Sequence, residues 1–276
     1  EAAVGTEPPS LTDLVVSRAE DGWQERALRV LQTHGAVVVR QLLNRSVCAA
    51  LHAQIESWPE GREGTSWSTR QPFRRRHQAL PARTGASGLA ARLMQRRLGR
   101  LLAAATRSAA PRLVECGFLS SLPGARAQAF HADTTPASQR ACEAQTLKLQ
   151  LALVQVDAEM GPLEVLPRTH LDLAPAAAPR APDGERDGER DGERAARPLA
   201  GAGPLPIRVL VGPGDVTVYS SNVQHRGGAN TGTRARPTFH IAVIGDGAAP
   251  TGIPYTVLAE DIREMYPAGD PQGKHI

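Results

Sequence analysis

Phe130-His131-Ala132-Asp133 is the stretch on which the reading of this chain turns. On an extended strand, residues two apart point to one face, so His131 and Asp133 can hold one metal ion between them. A third candidate ligand, His225, follows Asp133 by 225 − 133 = 92 residues. Two histidines and one carboxylate on one face of a metal leave the opposite positions open, the arrangement of non-haem Fe(II) oxygenases. Arg236 follows His225 by 236 − 225 = 11 residues. A guanidinium there can grip a carboxylate with two parallel hydrogen bonds.

His-x-Asp alone is a weak signal, and its surroundings strengthen it. Arg126 to His131 reads as a short strand running into the motif. Leu147 to Val156 (LKLQLALVQV) alternates apolar residues with others, as a strand with one buried face should. Glu159-Met-Gly-Pro-Leu-Glu-Val-Leu-Pro-Arg-Thr-His170 follows. Gly212-Pro-Gly-Asp-Val-Thr-Val-Tyr219 then reads as a turn and a strand, leading to Asn222-Val-Gln-His-Arg-Gly-Gly-Ala-Asn230.

The segments DAEMGPLEVLPRTH and GDVTVYSSNVQHRGGANTGTRARP resemble the phytanoyl-CoA dioxygenase (PhyH) family of Fe(II)/2-oxoglutarate oxygenases. The resemblance covers about residues 22–245 and is densest from 128 to 240. It implies a mainly β protein with flanking helices: a double-stranded β-helix, cupin-like and jelly-roll in form, with an N-terminal helical region. It implies His131, Asp133 and His225 as metal ligands and Arg236 as the anchor of the distal carboxylate of 2-oxoglutarate. Fe(II), 2-oxoglutarate and O2 are the expected cofactor and cosubstrates, with succinate and CO2 released. Related halogenases replace the carboxylate ligand with a small residue, so Asp133 implies hydroxylation or desaturation.

Two departures from the family pattern stand out. Its Pro-Gly-Ser-His is Pro167-Arg168-Thr169-His170 here. Many members carry a hydroxyl residue two after the distal histidine, and this chain has Gly227. Softer site candidates are Lys148 and Gln150, which share a strand face, together with Tyr219 and Asn230, all as cosubstrate contacts. Gln128 and Phe130 flank the first ligand and are candidate substrate contacts. Arg234 competes with Arg236 as the anchor. His170 and His240 read as structural, and Arg74, Arg75 and Arg76 as a solvated loop.

The 276 residues carry a formal charge of +4, almost all of the basic charge being arginine, with Lys only at 148 and 274. No basic stripe interleaved with aromatics suggests nucleic acid. No apolar run approaches the roughly 18 residues of a membrane span. Cys48, Cys116 and Cys142 have no metal-type spacing and fit a reducing compartment. An intracellular, cytoplasmic protein with a small-molecule or lipid-like substrate is expected. The chain starts at Glu1, so a targeting segment could be missing from view. Oligomeric state is not legible.

Residues 1–10 read as a disordered tail and 11–276 as one domain. Helices are expected over roughly 21–33, after the cap Asn44, and from Leu89 to Ala105. Ala36 to Val39 reads as a strand and 59–87 as a loop. Strands dominate from Arg112 onward, and helices followed by strands argue for a barrel or jelly roll with a helical flank. Three tandem copies of Asp-Gly-Glu-Arg from Asp183 to Arg194 sit in a Pro/Ala-rich tract over about 172–206, read as a disordered insertion between two strands. The alternative to an oxygenase is a non-catalytic barrel that binds metal and 2-oxoglutarate.

Overall fold

The computed structural model describes residues 8–59, 66–67, 75–134, 145–171 and 205–247. The insertion over 172–206 lies almost wholly outside them, as do most of the tail and the end of the chain. In chain order the elements are α1 (Leu11–Leu14), β1 (Val15–Ser17), α2 (Trp23–His34), β2 (Ala36–Arg40), α3 (Arg45–Glu56), β3 (Ser66–Trp67), β4 (Arg75–Ala79), α4 (Gly85–Arg97) and α5 (Gly99–Thr106). Then come β5 (Arg112–Ser121), β6 (Thr146–Ala152), β7 (Leu163–Val165), β8 (Ile207–Val209), β9 (Val216–Ser220), β10 (His225–Gly227) and β11 (Arg236–Ile244).

Among the described residues the strands form two sheets. Eight run in the order β1-β2-β9-β6-β11-β5-β4-β3, and three in the order β10-β7-β8. Among the described strands only β1 and β2 pair in parallel. This is the expected jelly roll, with a large sheet facing a small one. Period-two alternation sorts the side chains of the large sheet. Leu147, Leu149 and Leu151 of β6, Val216 and Val218 of β9, and Phe239, Ile241 and Val243 of β11 join one core cluster with Ala27 and Leu31 of α2, Leu51 and Ile55 of α3, and Met94 of α4. The intervening residues face the small sheet. There Ala36, Val38, Leu163, Val165 and Val209 build a second, smaller core.

The helices begin and end where local chemistry dictates. Asn44 caps α3 by accepting from the Val47 N–H at 3.2 Å. Gly35, at φ 82°, closes α2 in the left-handed region that costs glycine little. The expected helix from 89 to 105 is two, α4 and α5, meeting at Leu98 and Gly99. The reading of 59–87 as loop is corrected: β4 lies within it and pairs along β5, and α4 begins inside it. Arg75-Arg-His-Gln-Ala carries no apolar alternation, so only its partner β5 shows it to be a strand.

Candidate active site

The approach to His131 is not a regular strand. Residues 125–131 follow the 225–230 segment through spaced backbone bonds: Asn230 N–H to Ala125 O at 2.9 Å, Gln128 N–H to Gly227 O at 3.0 Å, and an isolated bridge between His131 and His225. The Ala-Gln-Ala sequence has no apolar side to bury. The Gln128 side chain instead accepts from the Gly227 N–H at 2.8 Å. The bridge sets the two histidine rings 4.6 Å apart, centroid to centroid.

Asp133 completes the group. One of its carboxylate oxygens lies 3.8 Å from His225 Nε2, and the ligating atoms of His131, Asp133 and His225 all fall within 4.8 Å of one another. His131 Nδ1 lies 2.9 Å from the Ala129 carbonyl and His225 Nδ1 lies 3.0 Å from the Val223 carbonyl. A carbonyl can only accept, so each Nδ1 carries the proton and each Nε2 keeps its lone pair for a metal. The second Asp133 oxygen is buried without a hydrogen-bond partner. A buried carboxylate oxygen in that condition is costly unless a cation meets it. Burial, foremost, holds His225 below its ordinary pKa, keeping the ring neutral as a ligand must be. The donor set fits a divalent metal.

The group opens on a cavity of about 130 Å³. Lys148, Gln150, Tyr219, Arg236 and Gln128 all line it. Arg236 is 2% exposed, whereas Arg234 is exposed and paired with Asp157 at 2.7 Å, which supports Arg236 as the anchor. Gln150 donates to the Tyr219 hydroxyl at 3.1 Å. Burial first, then the negative charges of Asp133 and Glu115, push the Tyr219 phenol well above its usual range.

Asn230 and Phe130 are not brought to the cavity lining. Asn230 donates to the Ser121 and Arg234 carbonyls at 2.9 and 2.8 Å and accepts from the Gly232 N–H at 3.1 Å, so it fastens the turn that delivers Arg236. Phe130 lies under the Arg226 guanidinium at 4.2 Å. The Gly-Pro-Leu run supports the same turn: Gly161, at φ 68°, sits so close to the backbone of Gly228–Asn230 that a Cβ would collide with it.

A second charged group was missed by the sequence reading. Across the cavity, His77 Nε2 and His240 Nε2 are 3.2 Å apart, and His240 lies 3.0 Å from Glu115. Lys148 forms a buried ion pair with the other Glu115 oxygen. His240, read as structural, faces the cavity because it shares alternation with Arg236 and Thr238; that signal was available. Glu115 was visible as a lone charge in an apolar strand, whereas His77 needed the β4–β5 register. Burial works against the Glu115 charge, but Lys148 and His240 outweigh it and hold the carboxyl far below the usual range. For Lys148, burial is likewise outweighed by Glu115, so its pKa is raised. Burial and the neighbouring His240 push His77 down to about 3.

His77, Glu115 and His240 also bring their ligating atoms within 4.8 Å. Lys148 distinguishes this group from the first. A divalent ion about 5 Å from that ammonium would be repelled by roughly 7 kcal/mol at an effective dielectric of ~20. In the first group, by contrast, one Asp133 oxygen has no hydrogen-bond partner.

The sequence profile of the phytanoyl-CoA dioxygenase (PhyH) family matches residues 31–238. The chain belongs to that family. No curated protein matches it. Among solved structures, the epimerase SnoN, in complex with Fe3+, alpha-ketoglutarate and nogalamycin RO, is similar over 85% of this chain and 89% of its own, at 22% identity and a TM-score of 0.59. HygX from Streptomyces hygroscopicus, with nickel, 2-oxoglutarate and hygromycin B bound, covers 83% of this chain and 88% of its own at 15% identity and a TM-score of 0.57. The carbocyclase SnoK from nogalamycin biosynthesis covers 96% of each chain at 18% identity and 0.56. At these identities the likeness is one of fold. The PhyH family is one of non-haem iron, 2-oxoglutarate-dependent oxygenases acting with O2, and this chain is an enzyme of that type. Among the described residues no helix is long and apolar enough to cross a membrane.

Proposed function

We propose that this PhyH-family dioxygenase hydroxylates a polar small molecule at the cavity between His131, Asp133 and His225 on one side and Lys148, Glu115, His77 and His240 on the other. The observation that carries the reading is the unpartnered Asp133 oxygen beside two Nε2 lone pairs, with Arg236 buried in the same cavity. Iron, when bound with 2-oxoglutarate and O2, supplies the oxidising chemistry that turns the cosubstrate into succinate and CO2.

The chain's own groups supply the rest. Two backbone-fixed histidines and Asp133 orient the metal. Arg236 offers a planar fork for the distal carboxylate of 2-oxoglutarate. Gln150 and Tyr219 form a hydrogen-bonded pair between the strands that carry them. Lys148, spoken for by Glu115, serves as part of the wall. A long alkyl chain laid against that buried ion pair and the two histidines would leave their polar atoms unmatched. This supports a polar substrate over a lipid-like one.

Succinate formation from 2-oxoglutarate, with Fe(II) and ascorbate present, tests the reading. Turnover that Asp133→Ala abolishes supports it. Binding of 2-oxoglutarate without any succinate would favour the non-catalytic alternative.

A further inference from the structure

Away from the cavity, the ends of β1, β2 and α4, the start of α3 and the turn before β9 enclose a groove of about 1040 Å³. It shares no lining residue with the cavity. Asp215 lines the groove and Tyr219, four positions on in β9, lines the cavity. Roughly 13 Å of extended chain separates them, at ~3.3 Å per residue. Four arginines line the groove, Arg18, Arg40, Arg45 and Arg97, against one carboxylate, Asp215, a balance of 4 − 1 = +3. Asp215 is already committed. It pairs with Arg40 at 2.5 Å and accepts from the Gln41 and Gly212 N–H groups at 2.8 and 2.7 Å. Arg97 donates to the Leu42 carbonyl and, among the described residues, pairs with no carboxylate. The side chains of Arg18 and Arg45 make no ion pair or hydrogen bond among those residues.

Scattered exposed arginines need no ligand to explain them. These three come from separate elements onto one concave surface, where charge of one sign focuses the field. Burial first, and then the charges of Arg18 and Arg96, hold Arg97 below its ordinary pKa. Arg45 stands in the first turn of α3, where a positive charge is unfavourable, and no acidic residue of that turn offsets it. One anion would relieve all three. A phosphate monoester carries nearly two negative charges and three acceptor oxygens, one for each guanidinium, whereas a carboxylate brings one charge and two oxygens. Leu11, Leu43 and Leu210 give the groove an aliphatic side, and its volume is close to the upper end of the roughly 300–1,000 Å³ of small-molecule sites.

We propose that this groove is a second binding site, separate from the reaction cavity, which takes the phosphate of a phosphorylated small molecule on Arg18, Arg45 and Arg97 and its organic part along Leu11, Leu43 and Leu210. The inference stands independently of the metal and cosubstrate readings. Arg40, held by Asp215, shapes the wall and leaves the other three guanidiniums to the ligand.

The test is calorimetry on the full chain with no metal added, using inorganic pyrophosphate as the probe and citrate as a polycarboxylate of similar charge. The parent should bind one pyrophosphate and hold citrate about tenfold more weakly. Arg18→Gln and Arg45→Gln should each weaken pyrophosphate about tenfold, as loss of hydrogen bonds to a charged group would. Both side chains are exposed, so both variants should melt as the parent does. Arg236→Ala, in the cavity, and Arg100→Gln, exposed outside the groove, should leave pyrophosphate affinity unchanged. No binding by the parent, or parent-like binding by Arg18→Gln and Arg45→Gln, would overturn the inference. So would citrate binding as tight as pyrophosphate, a loss in Arg236→Ala that places the probe in the cavity, or a loss in Arg100→Gln that shows attraction to net charge alone.

Discussion

His131 and His225 are each other's backbone partners: the N–H of His131 reaches the His225 carbonyl at 3.0 Å, and the N–H of His225 reaches the His131 carbonyl at 2.8 Å. One antiparallel bridge joins two residues 94 positions apart and sets their rings on one side. The grouping of the two rings is therefore set by the backbone itself. The parent should bind one equivalent of Ni(II) or Fe(II), Asp133→Ala should bind none tightly, and His240→Ala should still bind one. Metal analysis after gel filtration reads this directly. A second tight equivalent lost in His240→Ala would show that the Glu115 group binds metal as well.

The Lys148–Glu115 pair is buried on both sides. Lys148→Met leaves the buried Glu115 carboxylate without its lysine partner and should cost about 3–5 kcal/mol in urea denaturation. Lys148→Met combined with Glu115→Gln should recover most of that loss. A single variant as stable as the parent would mean that the pair does not form.

His77 carries a pH signature. Its folded value of about 3 lies below the ordinary value of about 6.5, so the unfolded chain takes up the proton first. Stability is complete above about 6.5 and declines as pH falls toward about 3, by at most ~1.4 kcal/mol per unit. His77→Gln should flatten that part of the profile relative to the parent. Parallel profiles would contradict it.

Arg168 has φ 70°, in the left-handed region, at the place where the family has glycine. Its N–H still reaches the His34 carbonyl at 3.0 Å, so the turn is kept at the expense of strain. Arg168→Gly should raise stability by about 1 kcal/mol. A loss would show that the arginine side chain contributes more than its backbone costs.

Much of this was legible in the sequence, and the exceptions have physical causes. That His131, Asp133 and His225 come within 4.8 Å of one another, with Arg236 in the same cavity, was foreshadowed by the sequence, because metal and carboxylate chemistry demand particular residue types at particular spacings. The alternation of β6 correctly placed Lys148 and Gln150 on the cavity face. It could not tell that Lys148 faces Glu115, since strand pairing lies outside local pattern. β4 was hidden because Arg75 to Ala79 has no apolar rhythm, and His77 was hidden with it. Asn230 looked like a site residue by its motif, yet its amide serves the turn.

The central claim is that His131, Asp133 and His225 hold iron with 2-oxoglutarate beside it. Anaerobic titration of the protein with Fe(II) and then 2-oxoglutarate, followed by the visible charge-transfer band of the chelate, tests this most directly. The parent should develop the band, Asp133→Ala should weaken or abolish it, and Arg236→Ala should shift it to higher cosubstrate concentration. Folded, iron-loaded parent protein with no band would contradict the account.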